Sequence, residues 1–148
     1  MLRNGITNAQ KAVDATYKAH AEMYRGVGVV KAVAGDVKAT AFPSETTDEG
    51  IFVVDRDNLA TGINCAYNDR PDTAYDKIVA GELIKTVPYV FGEEFYTDQY
   101  VAGAEVAGAK LGVGTDGKWT AYEGGTKYVS RGTIVEGGVT YVVIAVVA

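Results

Sequence analysis

Four groups of residues have types and spacings that could do chemistry. Gly112-Val113-Gly114-Thr115-Asp116-Gly117 matches the G-x-G-x-x-G dinucleotide fingerprint. That fingerprint works only where a helix follows, because the helix N-terminus receives the pyrophosphate. Here Lys118-Trp119-Thr120-Ala121-Tyr122 follows and reads as a strand, so the glycines predict a hairpin. Asp55-Arg56-Asp57-Asn58 resembles the opening of a calcium loop. An EF-hand loop needs an oxygen ligand at its fifth position, Gly at its sixth and Glu at its twelfth. Those positions hold Leu59, Ala60 and Ala66, so the match fails and the run predicts a turn bent by side-chain-to-backbone hydrogen bonds.

His20 and Cys65 are the only residues of their kinds. A Cys–His nucleophile pair would need them within hydrogen-bond reach. One sits in the N-terminal segment and the other in a presumed strand. No H-x-x-x-H or C-x-x-C spacing is present to build a zinc site. Cys65 therefore reads as a small buried apolar residue. The fourth group is Glu93, Glu94 and Asp98 with Phe95, Tyr96 and Tyr100. Paired carboxylates beside an aromatic platform would suit glycoside hydrolysis, with Trp119 a further sugar-stacking candidate. Acidic clusters are more often solvated surface, and tyrosines supply contact area with a polar tip at protein interfaces. The segment ranks as an interface before it ranks as a catalytic site. No catalytic residue, metal site or cofactor is expected.

The elements that would position these residues are clearest in the last third, Gly103 to Ala148. Short apolar or alternating runs are cut by Gly108, Gly112, Asp116–Gly117, Gly124–Gly125, Gly132 and Gly137–Gly138. That is the pattern of successive antiparallel strands with tight turns. The run Val139 to Val147 is apolar on both parities, which predicts a strand buried on both faces or facing a partner chain. Its nine residues are too few to cross a bilayer as a helix, which takes about 20.

Earlier in the chain, Val27 to Val33 predicts a strand ended by Gly35–Asp36, and Val37 to Phe42 predicts its return. Ile51 to Val54, Thr61 to Tyr67 and Ile78 to Val90 predict further strands, with a polar loop over Asn68 to Asp76. Residues 1–24 differ in composition. Ala9, Val13, Tyr17 and His20 form a narrow stripe near helical spacing, and Thr7 or Asn8 could cap a helix. Two readings stay open: a short helix packed on the barrel, or an arm that orders only against a partner. The expected fold is all-β. It is a small antiparallel β-barrel or sandwich over residues 25–148, preceded by an N-terminal arm over residues 1–24.

The chain has 148 residues, which suits one domain. Its net charge of −5, with no Lys/Arg cluster, disfavours nucleic acid as a partner. The polar, alanine-rich start predicts no secretory signal peptide, and no membrane partner is expected.

The N-terminal arm, the opening RGVGVVKAVAGDVKATAF followed by EGIFVVDRD, and the close GGTKYVSRGTIVEGGVTYVVIAVV together resemble head decoration (capsid cement) proteins of tailed bacteriophages. The resemblance covers most of the chain through texture, not through one diagnostic motif. It implies a non-enzymatic β-rich protein, made in the host cytoplasm. Such a protein binds the outside of an assembled shell and stabilises contacts between major capsid protein subunits. Self-association, as trimers or as neighbours on the shell, is a further implied contact. The contact candidates are Leu2, Arg3, Ile6, Tyr17 and Tyr24 in the arm and Phe95, Tyr96 and Tyr100 in the body. The rival readings are another virion component, at the tail or fibre base, and a carbohydrate-binding or hydrolysing domain using Glu93, Glu94 and Trp119.

Overall fold

The computed structural model describes residues 2–5, 11–55 and 77–148. Every regular element among them is a strand, as the glycine-punctuated valine runs predict. A six-stranded sheet runs in the order β1 (Leu2–Asn4), β9 (Glu94–Thr97), β13 (Val139–Val146), β12 (Tyr128–Glu136), β10 (Lys110–Val113), β11 (Trp119–Ala121). Beside it, β2 (Asp14–Lys18), β5 (Val37–Ala41), β4 (Gly28–Ala34), β6 (Phe52–Asp55) and β8 (Leu83–Val87) close a barrel. A short ladder joins β3 (Met23–Tyr24) to β7 (Lys77–Ile78). All pairings are antiparallel except β2 with β5.

Alternation along the strands sorts the side chains into two cores. Val29, Phe52, Val54 and Ile84 point into the barrel with Ala19, Met23, Val27 and Ile78 around them. Val53 and Val87 point out of the barrel wall onto the sheet, where they meet Phe95, Trp119, Tyr128, Val142, Ile144 and Val146. The aromatic rings interlock there: Phe95 stacks on Tyr89 at 4.3 Å, and Trp119 meets Tyr128 edge-on at 4.8 Å. The Trp119 indole N–H donates to the Gly26 carbonyl at 3.0 Å, so its polar atom is satisfied inside the core.

The barrel wall comes close to the sheet because residue 28 carries no side chain. A Cβ there would lie 2.4 Å from a Val113 methyl. The apolar strand at the C-terminus, β13, lies between β9 and β12, and Tyr141 and Ala145 are buried on the face opposite Val142 and Ile144. Gly137 and Gly138, with φ of 59° and 81°, make the β12–β13 connection a type I′ turn, whose twist suits the flanking strands.

The first 24 residues are not helical where they are described. Asp14–Lys18 is a stave of the barrel, paired with β8 through Tyr17↔Ile84 and Lys18↔Leu83. Leu2–Asn4 pairs with β9 as an outer strand of the sheet, and Leu2 is buried in the core. The physical reason is local. Thr16 and Tyr17 favour an extended backbone, and burial of Tyr17 in the barrel outweighs the weak helical propensity of the alanines. The strand expected over Thr61 to Tyr67 and the loop over Asn68 to Asp76 lie outside the described residues.

Candidate interaction surface

The G-x-G-x-x-G run is a hairpin. The Gly117 N–H donates to the Gly114 carbonyl at 3.0 Å, the Gly114 N–H donates to the Lys118 carbonyl at 3.0 Å, and β11 follows. Asp55 ends β6 and pairs with Arg25 at 2.8 Å; Arg56, Asp57 and Asn58 lie outside the described residues. His20 Nδ1 lies 2.9 Å from the Thr40 hydroxyl, and its ring meets Phe42 edge-on. Partial burial holds its pKa below the ordinary value. Its suggested partner Cys65 lies outside the described residues. Among the described residues, no three His, Cys, Asp or Glu side chains gather where they could hold a metal ion.

The carboxylates of the fourth group diverge. Glu93 shares the inward parity of Phe95 and Thr97 and is buried. Its Oε2 accepts from Lys11 Nζ at 2.7 Å and its Oε1 from the Val90 N–H at 2.7 Å. Glu94 takes the opposite face with Tyr96 and lies 3.8 Å from Arg131. Phe95 and Trp119 are fully buried. The sugar platform of Glu93, Glu94 and Trp119 therefore does not form, because strand alternation sends its members to different sides.

The same alternation divides the contact candidates. Leu2, Tyr17 and Phe95 are packed inside the chain. Tyr24 is half-buried in the β3–β7 ladder, and Tyr100 is half-buried beside Trp119, bridged to it in parallel. Ile6 lies outside the described residues. Leu2, Phe95 and Tyr100 share the core cluster, and among the described candidates Arg3 and Tyr96 come together on the outer face. They are register partners, and Tyr96 pairs with Val143, so Arg3–Tyr96–Val143 makes one row on the sheet's outer face. Arg3 also forms an ion pair with Glu136.

Glu136 belongs to the feature that dominates this side. The ladder of β13 with β9 begins at Val142, and the ladder of β12 with β10 reaches only Lys110↔Val129 and Leu111↔Tyr128. The hairpin from Thr133 to Tyr141 thus overhangs both neighbours as a two-stranded ribbon, with Val135 65% exposed. A ribbon of this kind is only marginally stable unaided in water. Of its large apolar side chains, Val135 is exposed, Ile134 and Val139 are half-buried and Tyr141 is buried. The sequence signalled the turn of this hairpin, but not its overhang, which depends on where β9 and β10 stop.

No protein-family profile, curated protein or solved structure matches this chain.

Proposed function

We propose that this protein is a non-enzymatic virion structural component. It binds the outer surface of an assembled phage capsid and stabilises contacts between major capsid protein subunits. The observation that carries this reading is the overhanging β12–β13 hairpin, with Val135 exposed on one face and the Arg3–Tyr96–Val143 row on the other. A rigid two-layer body bearing a projecting ribbon can lay that ribbon across a seam between neighbouring subunits. Its repetition over a shell multiplies modest contacts into firm attachment.

Deleting residues 1–24 would remove the β2 stave along with the arm, so point substitutions make the cleaner test. Val135→Asp and Tyr96→Ala are expected to weaken co-sedimentation with capsids about tenfold or more, as for centrally placed interface residues. Circular dichroism of both variants stays that of the parent. Undiminished co-sedimentation of the doubly substituted protein would remove this hairpin from the contact.

A further inference from the structure

A second exposed surface lies on the barrel. The β4–β5 ladder extends from Val30↔Ala41 to Ala34↔Val37, yet β6 pairs with β4 only at Gly28 and Val29, and β2 pairs with β5 only at Ala39. The outer half of this hairpin therefore stands clear of the barrel. Alternation gives it two unlike faces. Lys31, Val33, Lys38 and Thr40 share the inward face, where Lys31 and Lys38 are already engaged. Lys31 binds Asp14 at 3.1 Å, Lys38 binds the Thr16 hydroxyl at 2.6 Å, and both ammonium groups lie over the Tyr17 ring.

The outward face is apolar and continues round the barrel. Leu83↔Lys18, Lys18↔Ala39 and Ala39↔Ala32 line up in one row across β8, β2, β5 and β4. Val37 and Ala34 lie on the same face beyond Ala39. Leu83 is 59% exposed and Val37 55%. Across three strand spacings the row spans roughly 14 Å. Within this apolar band sits Lys18, and at its far tip Asp36. Both are exposed, and neither has an ion-pair partner among the described residues. Asp36 is three residues past Ala39, roughly 10 Å along the strand from the Lys18 row.

We infer that this band is a self-association surface, and that its occupant is the same band of a second copy of this chain. Charge complementarity selects that occupant. A two-fold contact places the same patch on both partners, so each residue i that meets j is matched by j meeting i. With the two bands antiparallel, Lys18 of each copy meets Asp36 of the other. The Val37 and Ala39 side chains between the two charge pairs leave water together, while Leu83 lies beyond Lys18 on the outer flank. A contact this small belongs to the weak class of interfaces, so association is expected to be concentration-dependent and salt-sensitive. The inference stands independently of capsid binding, because it concerns the isolated protein.

The test is sedimentation equilibrium of the purified full chain from about 5 to about 500 μM, with ionic strength as the second variable. The weight-average mass is expected to rise above the 15.7 kDa of one chain toward twice that value. The rise should weaken severalfold between about 0.05 and about 0.5 M NaCl. Lys18→Asp and Asp36→Lys should each raise the dimer Kd at least tenfold. The doubly exchanged protein, Lys18→Asp with Asp36→Lys, should recover association. Val37→Asp should abolish it while the thermal midpoint stays near that of the parent. A mass fixed at one chain over the whole range would overturn the inference. So would association unchanged by either charge reversal, or single reversals whose loss the exchanged pair fails to restore.

Discussion

The buried ion pair between Lys11 and Glu93 gives the sharpest quantitative test of how the layers are held together. Its N–O distance is 2.7 Å, and Lys11 Nζ also sits 4.0 Å from the centroid of the Tyr89 ring. Both side chains are almost wholly removed from water. The pair fixes the segment entering β2 to the turn that enters β9. Breaking a buried pair by removing one partner costs about 3–5 kcal/mol, mainly because the other charge is stranded. In Lys11→Met the carboxylate keeps the Val90 N–H, so a cost of about 3 kcal/mol is expected, at the lower end of that range. In Glu93→Gln the ammonium keeps the Tyr89 face, worth about 1 kcal/mol, so the cost falls to about 2 kcal/mol. Removing both charges strands neither, and the double variant is expected to lose only about 1–2 kcal/mol. The coupling is then about 3–4 kcal/mol, far beyond the additivity error for independent sites. Urea denaturation of the four proteins, with equal m-values as the control, measures it. Single losses that simply add in the double variant would refute the reasoning.

Gly28→Ala drives a Cβ against the Val113 methyls and Ile51, and should cost about 1–3 kcal/mol in urea denaturation unless the two layers separate. Tyr128 has a buried hydroxyl with no hydrogen-bond partner. Burial and, after it, the nearby Asp48 carboxylate push its pKa upward. Tyr128→Phe is therefore expected to leave stability unchanged or raise it by about 1 kcal/mol, a rare sign for a core substitution, read as the thermal midpoint. Asp14 is held at about 2 by hydrogen bonds from the Thr16 hydroxyl and N–H, opposed by partial desolvation and aided by Lys31. Its folded-state pKa is lowered, so its contribution is complete above the ordinary carboxylate value and is lost as pH falls through about 2. Acid unfolding of Asp14→Asn should therefore lack part of the parent's slope between about pH 4 and about pH 2.

Much of the architecture was legible because glycine and valine carry strong local meaning. The Gly137–Gly138 corner, the Gly35–Asp36 corner and the two-sided burial of β13 all follow from turn chemistry and period-two patterning. The N-terminal segment was less legible. Its alanines, with Val13, Tyr17 and His20 near helical spacing, mask a strand that forms because the barrel offers Tyr17 a place beside Ile84. The surface was the least legible part. Phe95 and Tyr96 are neighbours in sequence, but one belongs to the core and the other to the outer face. Which parity turns inward depends on the partner strand, not on the aromatic itself. The pairing of Lys11 with Glu93 joins residues 82 positions apart, and no local pattern announces it.

The central functional claim is attachment to the outside of a phage head. The direct measurement is electron cryo-microscopy of purified tailed-phage heads, with and without added protein. The account predicts extra density at repeated positions on the outer shell, with the Thr133–Tyr141 ribbon reaching onto a neighbouring subunit. Bare heads after saturating incubation, or density confined to the tail, would contradict it.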